Sequence, residues 1–346
     1  MTANSAARWM RRLALAGVAL AFMVVVLGAY VRLTAAGLGC PDWPGCYGHL
    51  TPGGALGDAA PGALAPRPLD PAKAWREMSH RYAAGTLALI VVAIAALAVG
   101  ARRQRLTSVR FALTLLATVL LQALLGMLTV TRQLQPLIVT LHLLVGMTTL
   151  GMLWWLALSL PQSSWGAASL GAAGYSLRGG AAYVVNARQL AILGLAALAL
   201  QIALGGWTSS NYAAIACPDF PTCQGSLWPH ADFRDAFVLW HGANVDYEGG
   251  LLTAPARIAI HVSHRLGALL AAAALTLAAV FTLRHHGLAS AHARAWAVLG
   301  ALGLQLGVGV AMVLRGFPLW LATAHTAGAA LLLLAVLALV RLLNAR

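Results

Sequence analysis

Four histidines stand inside long apolar runs: His80, His142, His264 and His325. An ionisable side chain is costly within a membrane span and usually serves function there. Their placement repeats. His80 and His264 each sit in a Ser-His-Arg triplet, at 79–81 and 263–265, and His142 and His325 each follow a glutamine, Gln122 or Gln305, by 20 residues. His80 and His142 lie about six residues inside their runs, roughly 9 Å deep at the helical rise. His264 and His325 lie at similar depth, past Pro255 or Arg257 and past Pro318. Two imidazoles at equal depth on two helices of one bundle can face each other across its core, which is what a bis-histidine heme needs. A lone buried histidine is more often a hydrogen-bonded structural residue; four at matched depth in duplicated places favour iron ligation. Neither pair has the two further carboxylate or thiolate ligands needed to complete a tetrahedral zinc site.

Arg81 and Arg265 directly follow the first histidine of each pair. Guanidinium pairs bidentately with carboxylate, so these two suit heme propionates, although arginines near a helix end also snorkel to the interface. Glu77 precedes His80 by three residues, which places carboxyl and imidazole on one helix face. It is a candidate proton donor or acceptor. The plainer alternative is an interfacial glutamate paired with Arg76 or Arg81. The corresponding position in the other half is His261.

The elements that must hold these residues are set by composition. The chain has 346 residues, 60% hydrophobic and 9% charged, far below the charge of a soluble domain. Runs long enough to cross a bilayer as helices occur near 12–33, 75–100, 110–131, 136–160, 189–210, 256–283, 293–314 and 318–342. The expectation is an all-α integral membrane protein with eight transmembrane helices, arranged as two pseudo-symmetric four-helix bundles. The first run follows Arg8, Arg11 and Arg12 as a signal peptide would, but it is too long and lacks a cleavage site.

Basic residues orient the chain. With the N-terminus inside, thirteen of the 23 fall on the cytoplasmic side, including Arg102, Arg103, Arg105 and Arg110 of one short loop, while all nine acids fall on or near the other side. Both termini are therefore expected in the cytoplasm, in a multi-pass protein of the cell inner membrane. The net charge of +14 reads as an orientation signal and contact with anionic lipid, not as a nucleic-acid face.

The halves repeat in parallel. CPDWPGC at 40–46 returns as CPDFPTC at 217–223, and Gly28 and Gly205 each precede the first cysteine of their loop by 12 residues. The expected division is 1–160, a linker at 161–187 rich in Gly, Ala and Ser, and 188–346. The longer loop at 224–254 breaks the symmetry and carries His230, His241, Asp246 and Glu248. His49 and His230 read as loop residues, and His285, His286 and His292 as a solvated turn. Trp43 and Trp228 read as interfacial aromatics. No C-x-x-C-H motif occurs, so covalent heme is not expected.

Eight apolar runs in two similar halves, four helix-borne histidines, the EMSHR segment at 77–81 and paired loop cysteines together resemble the heme A synthase family. The resemblance covers essentially the whole chain. It implies an enzyme that oxidises a methyl group of heme O to the formyl of heme A by successive hydroxylation with loss of water. His80 and His142 then match the substrate or product heme pair, His264 and His325 the heme b pair, and Glu77 the family's mechanistic acid. It implies heme O as substrate and, as partners beyond the lipid bilayer, heme O synthase and a terminal oxidase. A diheme electron-transfer protein is the second reading; a transporter is weaker, because no broken-helix signature pairs between the halves.

The cysteine loops lie on the side where oxidation is permitted, and five intervening residues with two prolines favour a bend that returns each cysteine to its neighbour. Cys40 is expected to pair with Cys46 and Cys217 with Cys223. A structural staple and a redox or heme-handling role both remain open.

Overall fold

A computed structural model describes residues 3–57, 68–104, 107–160, 181–242 and 245–344. The described residues are built from helices: α1 (Ala3–Leu33), α2 (Pro52–Gly57), α3 (Pro71–Gly100), α4 (Val109–Thr131), α5 (Pro136–Ser159), α6 (Ala181–Ser210), α7 (Phe233–Ala236), α8 (Ala254–His285), α9 (Ala289–Leu314) and α10 (Leu319–Leu343). Eight of them, all but α2 and α7, are long and apolar enough to cross a membrane.

Local chemistry sets where several begin. Asp70 caps α3 by accepting from the backbone N–H groups of Ala72 and Lys73, and Pro71 fills the first turn, where a missing N–H costs nothing. Pro136 does the same for α5 and Pro255 for α8. The first helix starts at Ala3 and not near residue 12, because its arginines continue the helical register. Most of the linker expected at 161–187 lies outside the described residues; its final part, from Ala181, is already helical and belongs to α6.

Packing closes two rings. In the first half α1 packs on α3, α3 on α4, α4 on α5 and α5 back on α1; in the second, α6 packs on α8, α8 on α9, α9 on α10 and α10 back on α6. This pattern is compatible with the two pseudo-symmetric bundles expected from the sequence. The rings meet where α1 and α5 contact α10 and α5 contacts α6. One apolar core runs through both, with Met10, Leu115, Leu150, Leu153 and Leu156 meeting Leu275, Leu332 and Leu339. Trp154 crosses the seam and donates its indole N–H to the Leu334 carbonyl at 3.0 Å. Many outward leucines, such as Leu89, Leu120, Leu193 and Leu269, stay exposed, as expected for helices whose solvent is lipid.

Both cysteine loops fold alike. Cys40 is bonded to Cys46 and Cys217 to Cys223, as expected. Both loops contain a cis proline, at Trp43–Pro44 and Phe220–Pro221. In the first, the Asp42 carboxylate accepts from the backbone N–H groups of Tyr47 at 2.6 Å and Gly48 at 2.8 Å. In the second, Asp219 accepts from Gln224 at 2.6 Å and Gly225 at 2.9 Å. Gly48 and Gly225 have φ of 80° and 78°, a left-handed conformation that glycine adopts without cost.

Candidate functional site

The four helix-borne histidines are set by one recurring contact. Each ring lies against a glycine of a neighbouring helix: His80 on Gly28 of α1, His142 on Gly126 of α4, His264 on Gly205 of α6 and His325 on Gly309 of α9. A methyl group on those glycines would sit 2.9, 3.2, 3.2 and 3.0 Å from the respective imidazole Cε1, so a side chain there would push the ring out of place. A small residue at each contact lets the two helices approach, which is how closely packed membrane helices are built.

In the second half, His264 and His325 face one another with ring centroids 6.4 Å apart and planes inclined at 73°. In the first half, His80 of α3 and His142 of α5 lie close to one another, so these two also share a site. Unpartnered buried ring nitrogens remain on His80, His142 and His325. Buried polar atoms without partners are uncommon in native interiors, and a cluster of them marks a place built for a polar or metal partner.

Glutamines line three of the four positions. Gln122 Nε2 lies 3.4 Å from His142 Nε2, and Gln305 Nε2 lies 3.3 Å from His325 Nε2. Gln201 Nε2 lies 3.1 Å from His264 Nδ1 and donates to the His264 carbonyl at 3.0 Å. The sequence reading used Gln122 and Gln305 only as spacing landmarks and missed Gln201 altogether. The signal was present: Gln122 and Gly126, Gln201 and Gly205, and Gln305 and Gly309 are each one helical turn apart.

Glu77 is 4% exposed and engaged on two sides. Its Oε2 accepts from the Cys40 backbone N–H at 2.8 Å, and its Oε1 accepts from Arg81. One carboxylate thus joins the histidine helix to the disulfide loop. His261, its counterpart, is equally buried but turns its Nδ1 to the Ala213 carbonyl at 3.1 Å.

Arg81 and Arg265 have a role that sequence did not show. Arg81 donates to the carbonyls of Asp42 at 2.8 Å and Gly45 at 2.6 Å; Arg265 donates to those of Asp219 at 2.7 Å and Thr222 at 2.7 Å. The arginine beside each histidine therefore clamps the cysteine loop of its own half. In the second loop the Thr222 hydroxyl and the backbone N–H groups of Gly225 and Gln224 hold the half-buried Asp219 carboxyl down to about 2.

The seam brings the two sites close. Gly205 and Gly206 are consecutive on α6: the first receives His264, and a methyl group on the second would lie 3.1 Å from both Thr140 and Leu143, which flank His142 on α5. Thr140 and Ser210 hydroxyls add a contact of 3.3 Å across the same seam. Arg32 of the first half donates to the Ser209 carbonyl at 2.9 Å, where cationic groups complement the carboxyl end of a helix.

The sequence as a whole matches a known group of proteins. Residues 11–337 match the family described as cytochrome oxidase assembly protein. The chain belongs to this family. It is also 38% identical, over 94% of its own length and 93% of the relative's, to the heme A synthase of Shewanella oneidensis. Membership covers both rings, so the resemblance to heme A synthases carried by the EMSHR segment extends to the whole chain. With eight apolar helices, it makes the protein a multi-pass membrane protein of heme A biosynthesis.

Proposed function

We propose that the protein converts heme O to heme A with an external two-electron oxidant used twice: each use hydroxylates the same methyl carbon, and the resulting geminal diol loses water to leave the formyl group. The observation that carries this reading is a duplicated His–Gly site with a carboxylate, Glu77, beside only one copy. In this reading His80 and His142 hold the substrate heme, and His264 and His325 hold heme b. His264 and His325, facing one another with ring centroids 6.4 Å apart, are the pair that would hold heme b between them.

Redox chemistry at the methyl carbon is supplied by the bound iron porphyrins; the chain binds, orients and handles protons. Glu77 is positioned for the last task, because its carboxylate stands one turn from His80 and is fixed by the Cys40 N–H and Arg81. Arg81 and Arg265 anchor the loops that roof each site; their terminal N–H groups are turned to loop carbonyls and, in Arg81, to Glu77, which leaves the Nε–H of each to meet a propionate. The histidine–glycine contacts keep the imidazoles in register so that each pair can meet one metal.

The orientation that suits this chemistry places both termini in the cytoplasm and the cysteine loops outside the cell inner membrane. Two loop disulfides support that placement, since disulfides persist in oxidising compartments. Heme O synthase as donor and a terminal oxidase as recipient complete the proposal. Extraction of hemes from the purified protein tests it. Heme B together with heme O or heme A is expected; heme B alone would leave an electron-transfer protein, and no heme would reject both.

A further inference from the structure

The four histidine positions obey a reciprocal rule with one exception. At three of them the glutamine one turn before the receiving glycine lies against a second glycine, one turn beyond the histidine. Gln122 lies against Gly146, Gln201 against Gly267 and Gln305 against Gly328. The second glycine is required for the amide: a methyl group on Gly267 would collide with Gln201 Oε1, and one on Gly328 with Gln305 Oε1. All three amide oxygens are buried without a hydrogen-bond partner.

At the fourth position both members of the pair are changed together. Val24 stands one turn before Gly28, where Gln201 stands before Gly205, and Ala83 follows His80 where Gly267 follows His264. Val24 is 9% exposed, and its backbone lies against the His80 ring. The α1–α3 wall of the first half is therefore apolar at the level where the other three walls carry a carboxamide.

We infer that Val24 and Ala83 determine which heme the first half accepts, by giving a long apolar ring substituent an exit between α1 and α3. This rests on the proposed assignment of heme O to the first half. Heme O differs from heme B by an isoprenoid chain on one pyrrole. The histidine-flanking arginines and loops occupy one end of each site, which suits propionates, so the chain-bearing edge points one turn deeper, to the level of residues 24 and 83. A carboxamide there would have to be desolvated against the isoprenoid with no partner for its oxygen, which is unfavourable. Valine and alanine offer an apolar surface and no polar atom. In the second half the Gln201–Gly267 and Gln305–Gly328 pairs close both walls, which suits a heme without the chain.

The wall of the second half can be built into the first. The Val24→Gln, Ala83→Gly double variant reproduces a pair the chain already uses, and the untouched second half serves as an internal standard. Hemes extracted from purified protein are expected to show the ratio of heme O plus heme A to heme B reduced at least tenfold, with heme B per chain unchanged. An unchanged ratio overturns the inference while leaving the proposed function standing; wild-type protein that holds heme B alone removes that function and the inference with it. If the double variant loses heme B as well, Gln201→Val with Gly267→Ala runs the test in reverse, in cells that accumulate heme O. The ratio is then expected to rise several-fold above wild type, and no rise overturns the inference.

Discussion

Glu77 and His261 occupy matching places on matching helices, are equally buried, and do different things. Glu77 accepts from the N–H of Cys40, the first half-cystine of its loop, and from Arg81; His261 faces the Ala213 carbonyl, ahead of its loop. With the carboxylate gone, Arg265 still clamps its loop through four carbonyl contacts. The loop clamp is thus the shared framework, and the carboxylate is an addition to one copy. The two halves hold their histidines alike and differ in what stands beside them.

Removing a histidine breaks this comparison most severely. His80→Ala or His142→Ala is expected to abolish product and to empty the first half of heme O and heme A while heme B remains. His264→Ala or His325→Ala is expected to remove heme B; heme extraction from each purified variant checks both. Equal loss of all hemes from any one variant would mean the halves do not bind independently. Next in size, Glu77→Ala is expected to lower heme A formation by about a hundredfold or more, within the range of a lost acid–base group. His261→Ala, assayed for heme A in the same cells, should leave turnover near wild type.

Smaller effects test what the halves share. Replacing Cys40 and Cys46 together, or Cys217 and Cys223 together, opens loops of the same length, so each is expected to cost about 2 kcal/mol in thermal unfolding. Turnover lost only with the first pair, at equal stability, would show that its disulfide serves the chemistry and not the fold alone. The smallest effect concerns Asp219. Its carboxyl is lowered from 3.8 to about 2, so its contribution is present above pH 3.8 and is lost as the pH falls toward 2. Reduction of the Cys217–Cys223 disulfide by a phosphine should be faster in Asp219→Asn than in wild type at pH 5, and the difference should vanish near pH 2.

Spans, cysteine pairs and the four histidines were legible because each follows from a one-dimensional signal: apolar length, duplicated motifs, or a costly polar residue in a run. The contacts that seat the histidines were not. Gly28 and Gly205 drew notice only for their distance to the cysteines, since nothing in a single sequence says which glycine a ring on another helix will touch. The triplet shows charge next to histidine, which suits a propionate; it does not show that the loop folds back over the helix to offer carbonyls to Arg81 and Arg265 first. The early start of α1 was hidden by Arg8, Arg11 and Arg12, which look like a boundary by composition yet continue the helix.

The Gly205–Gly206 pair has one more consequence. One glycine seats His264 and its neighbour is pressed to Thr140 and Leu143 of α5, so α6 touches both the second-half site and the helix that bears His142. Any electron exchanged between the two sites would tunnel through a rigid barrier of fixed width. Helix packing would fix the distance of that hop, so donor and acceptor would not need to diffuse together.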